Sequence, residues 1–277
     1  MLDGHAVRAY KERDYMNNYK PLTQRIWFLL LIFVLFFLPA ISQKKYDPQN
    51  TSLVIAAVLS KPIIYDYKNF YTIAKLILLS ISVVPFIIKR SEKIVLLYYS
   101  IILMITGFFQ NMSSTTEYGF VWLIGNTIVI VLVSIFCVID VFKKNSIIEK
   151  GGIYKKRLWV VPFMALALLF PYGISPDNVI IPQFGINMLT NEAGLTYCMI
   201  TPIILGIFLL FPNTISMQTH FITAFVGLGF GVFNILNWFI FQPVFWWMGV
   251  LHMPLIILSL YSLIVLRKER LTTASTL

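Results

Sequence analysis

The chain of 277 residues is 58% hydrophobic and only 12% charged, with a mean hydropathy of +0.79. A soluble domain carries about twice that charged fraction, so this composition excludes an ordinary water-soluble protein. The net charge of +10 does not indicate a nucleic-acid partner, because the basic residues collect at the ends of apolar segments, where membrane topology explains them.

The first 24 residues predict a cytoplasmic leader. They are polar and precede the first apolar run, which lacks a small-residue cleavage site, so a removable signal peptide is excluded. Two interpretations remain open for this leader. It is either a short helix lying on the membrane surface, attracted by anionic headgroups, or a solvated tail.

Eight apolar segments follow, and each approaches the roughly 20 residues that a spanning helix needs. The predicted fold is therefore an all-α polytopic membrane protein of about eight transmembrane helices. The stretch 52–59 is too short to span and predicts an interfacial or re-entrant segment. The predicted spans are 26–42, 70–88, 94–110, 118–142, 157–174, 195–212, 218–240 and 243–266.

Lysine and arginine set the predicted orientation. Most of the 22 basic residues fall on one side of the predicted membrane, in four short stretches. Basic loops face the cytoplasm, so both termini are predicted to be cytoplasmic and the cell membrane is the expected location. Lys75 lies just inside the second span, where its side chain is expected to snorkel outward. The basic stretches are 8–25, 89–93, 143–157 and 267–270.

Two glycosylation sequons fall on the predicted outer side, at Asn50 and Asn111. They matter only in a eukaryotic secretory pathway. Two cysteines, Cys137 and Cys198, are predicted near opposite faces of the bilayer, which argues against a disulfide between them.

The two halves of the chain resemble each other. "RIWFLLLIFVLFFLP", residues 25–39, is followed in the second half by "RLWVVPFMALALLFP", residues 157–171. Gly107 and Trp122 have the same separation as Gly231 and Trp246. These matches in order and spacing predict a duplication of four spans. Because four is even, the copies are parallel and related by a pseudo-twofold axis along the membrane normal.

This duplication gives the predicted organisation of the chain. The leader is followed by the first four-span repeat, a cytoplasmic linker, the second four-span repeat and a cytoplasmic tail. The corresponding ranges are 1–24, 25–144, 145–156, 157–268 and 269–277.

Few polar side chains lie at membrane depth. His252, near the middle of span 8, precedes Pro254, which loosens a backbone carbonyl and predicts a kink. The functional interpretation of His252 is a ligand contact or proton relay, and the structural one is a hydrogen bond to a neighbouring helix. Asn126 lies at a similar depth in span 4, so the two are predicted to approach a shared cavity. Asp140, near the cytoplasmic end, is expected to pair with Lys143, Lys144 or a neighbouring loop.

Span 7 carries a small-residue face. Gly227 and Gly231 predict close helix packing, and Asn234 and Asn237 extend that side of the helix. The amides of the outer half predict a pocket that opens outward. The alternative for its tryptophans is the aromatic belt found at membrane interfaces. The pocket would be rimmed by Trp122, Trp238, Trp246 and Trp247.

The sequence contains none of the common motifs for nucleotide hydrolysis, serine hydrolysis or zinc proteolysis, and no histidine pair with metal-ligand spacing. We therefore expect no cofactor and no metal, and an enzymatic activity is not favoured. The predicted partners are the lipid bilayer and further protein subunits, without nucleic acid.

Three functions are compatible with these features. The first is a transport-type, permease-like protein or subunit for a neutral, apolar or lipid-like substrate, since charged groups at membrane depth are scarce. The second is a non-catalytic anchor, assembly or sensor subunit of a larger membrane complex. The third is an intramembrane lipid-modifying enzyme with His252 as base.

Overall fold

The computed structural model describes residues 22–143, 146, 148, 153–174, 180–212 and 215–275. Half of the predicted linker lies outside the described part, as does nearly all of the predicted leader. The residues outside it are 1–21, 144–145, 147, 149–152, 175–179, 213–214 and 276–277. The described chain is mostly helical, with two small β-sheets. The predicted domain boundaries stay predictions.

Ten α-helices occur among the described residues. They are α1 Ile26–Leu35, α2 Thr51–Ser60, α3 Tyr71–Ile87, α4 Glu92–Phe109, α5 Ile124–Lys143, α6 Val161–Leu169, α7 Asn187–Thr190, α8 Tyr197–Leu210, α9 Met217–Ile235 and α10 Trp246–Ser275. Short strands occur between some of them. They are β1 Ile41–Ser42, β2 Met112–Thr115, β3 Gly119–Trp122, β4 Tyr172–Ile174 and β5 Ile180–Pro182.

Five helical segments of the described chain are long and apolar enough to cross a membrane. A sixth crossing results if the bent pair Asn187–Leu195 and Tyr197–Leu210 counts as one span. This architecture is compatible with an all-α membrane protein. The five segments are Lys68–Ile87, Glu92–Phe109, Ile124–Lys143, Met217–Phe241 and Pro243–Lys268.

Several helices are shorter than the spans predicted for them. Helix α1 ends at Leu35 rather than at residue 42, because the residue before Pro39 is driven out of the helical region. Span 4 was predicted from residue 118, but residues 119–122 form β3 and the helix begins at Ile124. At the side of the bundle where α1 ends and α5 begins, the helices are therefore shorter than hydropathy suggests.

The loops on this side of the first half build a small separate layer. Strands β1, β3 and β2 form an antiparallel sheet in that order, with Ile41 opposite Trp122. Helix α2, the segment predicted to be interfacial or re-entrant, packs on this sheet. Val54 and Val58 from the helix form a second hydrophobic core with Val121 from β3. The segment is thus a helix with its own protein contacts.

The centre of the main core is α8. Nearly all its side chains are buried, although the helix is only 14 residues long. It packs against α3, α4, α6, α9 and α10. Two hairpins, α4 with α5 and α9 with α10, flank this centre.

Parts of the linker are fixed to both halves. The Ser146 hydroxyl donates to Asp140 Oδ2 at 2.8 Å and accepts from the Ser216 N–H at 2.8 Å. The Ile148 N–H donates to Glu92 Oε2 at 3.0 Å. Asp140 thus bonds to the linker rather than to Lys143 in the described hydrogen bonds.

Candidate functional site

The backbone has an unusual conformation at the end of α6. This helix stops at Leu169, and Phe170 adopts a left-handed conformation with φ of 43°. The carbonyls at the end of a helix have no partner within it and must bond elsewhere. Asn191 Nδ2 donates to the carbonyls of Leu169 and Phe170, at 3.2 and 2.9 Å. Span 5, predicted over 157–174, is therefore a nine-residue helix preceded by the 3₁₀ segment Lys155–Val160.

Lys75 completes this arrangement from α3. Its ammonium donates to the Leu169 carbonyl at 3.2 Å and to Asn191 Oδ1. The side chain is only 3% exposed. The expected outward snorkelling is wrong, because the ammonium finds acceptors inside the bundle at the free end of α6. A cation at a helix C-terminus also interacts favourably with the helix dipole.

Glu192 follows Asn191 directly and is 7% exposed. The Tyr172 hydroxyl donates to its Oε1. Burial and the neighbouring Glu192 carboxyl raise the pKa of Tyr65, in the 3₁₀ segment Ile63–Asp66. A second phenol therefore lies near this carboxyl. We call Lys75, Tyr172, Asn191 and Glu192 the outer polar cluster.

The segment that carries Glu192 is bent sharply before α8. The axes of Asn187–Leu195 and Tyr197–Leu210 differ by 86°, with extended Thr196 between them. Gly194 allows this segment to touch α3, since a Cβ placed on it would lie 2.5 Å from the Lys75 backbone nitrogen and 2.6 Å from the Ala74 carbonyl carbon. Only glycine fits this approach of two backbones.

Two helix ends of opposite polarity therefore lie close to the outer polar cluster. The C-terminal end of α6 is bonded to Lys75, and the N-terminal end of α8 lies five residues after Glu192. Helix ends carry partial charges, negative at the C-terminus and positive at the N-terminus. Interrupted helices that meet in this way form the binding sites of many transporters, where free backbone groups and helix ends contact the substrate.

His252 lies next to the outer polar cluster. Its ring centroid is 5.4 Å from that of Phe170, which in turn lies 5.0 Å from Tyr172. Nδ1 of His252 is 2.7 Å from the Met248 carbonyl, which can only accept, so Nδ1 carries the hydrogen and Nε2 is an acceptor when the ring is neutral. Trp238 lies 5.8 Å away, ring to ring, and its indole nitrogen is buried without a hydrogen-bond partner among the described residues.

Asn126 lies away from this region. Its helix, α5, packs mainly on α1, α4 and α9, whereas α10 with His252 packs on α6, α8 and α9. Trp122, just before α5, donates to the Thr127 hydroxyl at 2.8 Å and stacks on Phe108. The structure places Trp122 and Asn126 at the α4–α5 hairpin, and the described hydrogen bonds do not join Asn126 to His252.

The remaining predicted pocket residues have local partners. Asn234 Nδ2 donates to the Phe230 carbonyl at 2.8 Å and lies 3.2 Å from Cys198 Sγ. Asn237 Oδ1 accepts from Gln242 Nε2 at 3.3 Å. Trp246 is 57% exposed on the outside of the bundle. These contacts stabilise the end of α9 and the turn into α10.

Gly227 and Gly231 face α10. A Cβ on Gly227 would lie 2.5 Å from Ser259 Oγ, and a Cβ on Gly231 would lie 2.9 Å from Ile256 Cβ. The small residues bring the two helices of this hairpin close together.

Asn191, Glu192 and Tyr172 are not among the predicted site residues. Asn191 and Glu192 lie in a predicted outer loop, and Tyr172 lies at the end of predicted span 5. The signal that could have found the cluster is Lys75, a lysine inside a span with no obvious counter-charge. Among the described residues no group of three metal-ligating side chains comes together. The chain matches no known protein family, no curated protein and no solved structure.

Proposed function

We propose that this chain is a transport-type, permease-like membrane protein or subunit that handles a neutral, apolar or lipid-like substrate. The observation that carries the proposal is the meeting of two interrupted helices, α6 and α8, at the buried Lys75 and Glu192. Buried ionisable groups inside membrane segments are costly and are usually retained for function.

The charges of the cluster favour a substrate without net charge. Lys75 and Glu192 are a potential cation and a potential anion, and the side chains that contact them are amide or aromatic groups. A charged substrate would attract one of them and repel the other. Transport would be driven by the concentration gradient of the substrate or by a partner subunit.

The proposal includes the architecture predicted from sequence. The five long segments and the bent pair supply six crossings, and α1 and α6 with their flanking residues would supply two more. In a parallel duplication, the α4–α5 hairpin corresponds to the α9–α10 hairpin. We propose the cell membrane as location, with both termini in the cytoplasm.

A vesicle assay tests the transport proposal. The purified protein is reconstituted with a trace of headgroup-labelled fluorescent phospholipid, and dithionite is added outside. Lipid that the protein moves across the bilayer becomes bleached, so bleaching should exceed the half seen in protein-free vesicles. A parallel series with radiolabelled uncharged small solutes covers the non-lipid substrates.

Three variants make the assay specific for the site. Lys75→Met and Glu192→Gln should lower the transport rate, whereas Lys45→Met, at an exposed lysine, should leave it unchanged. Each variant is first checked for a monodisperse elution profile. If the wild type moves neither lipid nor solute, or if folded Lys75→Met and Glu192→Gln transport normally, the proposal is wrong.

A second candidate is an anchor or assembly subunit. The layer formed by α2 and the three-stranded sheet favours it, because this layer has its own core and stands apart from the main bundle. Purification in mild detergent, with the partners identified by mass spectrometry, separates the candidates. A stoichiometric partner that is lost when this layer is altered supports the anchor, and a transport-active chain without partner excludes it.

A further inference from the structure

The segment before the bend combines apolar exposure with an absence of charge. Residues 180–191, "IIPQFGINMLTN", contain no charged side chain. Phe184 is 80% exposed, Ile186 72% and Leu189 52%. A loop in water rarely presents such large side chains together, so this patch requires a covering phase or a partner.

A first estimate of depth comes from the contact with α3. Gly194 touches Ala74 and Lys75, and Lys75 is seven residues into the spanning segment that begins at Lys68. At 1.5 Å per residue, this contact lies about 10 Å below the end of that segment. Helix α7, which precedes Gly194 in the chain, also packs against α3.

A second estimate comes from the length of α8. Its 14 residues extend about 21 Å, roughly 9 Å less than the hydrocarbon core of about 30 Å. Its other end lies at the predicted cytoplasmic side, where the Leu210 carbonyl accepts from the Tyr154 N–H at 2.8 Å. The missing length is therefore on the outer side, and it agrees with the depth from Lys75.

The bend turns the segment into the membrane plane. If α8 runs along the membrane normal, the angle of 86° between the two axes places Asn187–Leu195 nearly parallel to the surface at this depth. Irregular backbone is tolerated in the hydrocarbon only where protein covers it. Glu192, Ala193 and Leu195 are buried, whereas the irregular residues 183–186, before α7, would lie at the headgroup boundary, where water can bond their backbone. The exposed side of the same segment then faces acyl chains.

We propose that residues 181–190 form a membrane-inserted wedge, which lies in the outer lipid leaflet and contacts its acyl chains through Phe184, Ile186 and Leu189. The wedge adjoins Asn191 and Glu192, so the lipid phase begins beside the outer polar cluster. This inference rests on the proposed orientation of the chain in the membrane and is independent of the transport proposal.

Fluorescence quenching tests the wedge. Phe184→Cys and Ile186→Cys are made in a chain with Cys137→Ala and Cys198→Ser, labelled with an environment-sensitive dye and reconstituted in phosphatidylcholine vesicles. Leu76→Cys, on an exposed apolar position of α3, is the lipid control. Thr116→Cys, on the exposed turn between β2 and β3, is the water control.

Spin labels on the acyl chains should quench the dye at positions 184 and 186 as strongly as at position 76. Iodide in the buffer should quench only the dye at position 116. The reverse pattern, with strong iodide quenching at 184 and 186, would overturn the wedge. Quenching by neither reagent would also overturn it, since a protein surface would then cover the patch.

A second measurement uses the wild-type chain, in case the cysteine-free background does not fold. Phospholipids with a diazirine on the acyl chain are photolysed in the same vesicles, and the labelled peptides are identified. Residues 181–190 should carry label together with the exposed face of α3. Label on α3 without label on 181–190 contradicts the proposal.

Discussion

The outer polar cluster supplies hydrogen-bond donors to the carbonyls at the end of α6. The left-handed Phe170 ends α6 inside the bundle and leaves two carbonyls without helical partners. In a low-dielectric environment each unpaired carbonyl costs several kcal/mol, on the order of a lost hydrogen bond. Lys75 and Asn191 supply donors to them, the Tyr172 N–H also donates to the Phe170 carbonyl, and Glu192 lies beside these groups. Structure and candidate function therefore depend on the same side chains.

Substitution of Gly194 tests the contact between the bent segment and α3. Gly194→Ala places a methyl group against the backbone of α3, which cannot move aside as a side chain would. We expect a loss of roughly 1–3 kcal/mol in stability, typical of overpacking. Thermal unfolding in detergent measures it.

Gly185→Ala is the matched control, because a Cβ there meets nothing within 4 Å. It should leave the unfolding temperature unchanged. Equal stability of the two alanine variants would show that the bent segment does not press against α3.

The elements of the second half differ from the straight spans that hydropathy predicts. Residues 195–212 were expected to be one span, and α8 does occupy 197–210. The break before it depends on Gly194 and on hydrogen bonds from residues distant in sequence, such as Asn191 to Phe170. A hydropathy profile averages over a window and contains no information about such partners.

The hairpin of α9 and α10 provides an element-scale prediction. Gly231→Leu inserts a large side chain against Ile256, whose Cα is only 3.0 Å from the position of a Cβ. The helices must separate, so we expect a marked fall in unfolding temperature and a loss of stability of about 1–3 kcal/mol. Val232→Leu adds the same side chain at the next position, which is 42% exposed, and should be tolerated. Similar stability of both variants would exclude close packing at Gly231.

At the scale of the whole molecule, the composition predicts a helical membrane protein but does not predict where the outer polar cluster lies. Apolar runs predicted a helical membrane chain because each run must satisfy its backbone within one helix. His252 was recognised as a polar side chain in a span, and it lies beside the cluster through Phe170. Glu192 reads from the sequence only as an acid of an outer loop, since its burial results from a bend and not from a local pattern. The eight spans and the duplication stay predictions.

The two sequons test the orientation of the whole molecule. Asn50 is exposed in the layer of α2 and the three-stranded sheet, whereas Asn111 is 3% exposed and donates to the Gly107 carbonyl at 3.0 Å. When the chain is translated in the presence of eukaryotic microsomes, we expect one glycan, removed by Asn50→Gln and unaffected by Asn111→Gln. A gel shift that a glycosidase reverses measures it. The transferase acts only on the luminal side, which corresponds to the outer face. An unglycosylated wild type would therefore contradict an outward-facing α2 layer. A glycan at Asn111 would contradict the burial of this residue beside α4.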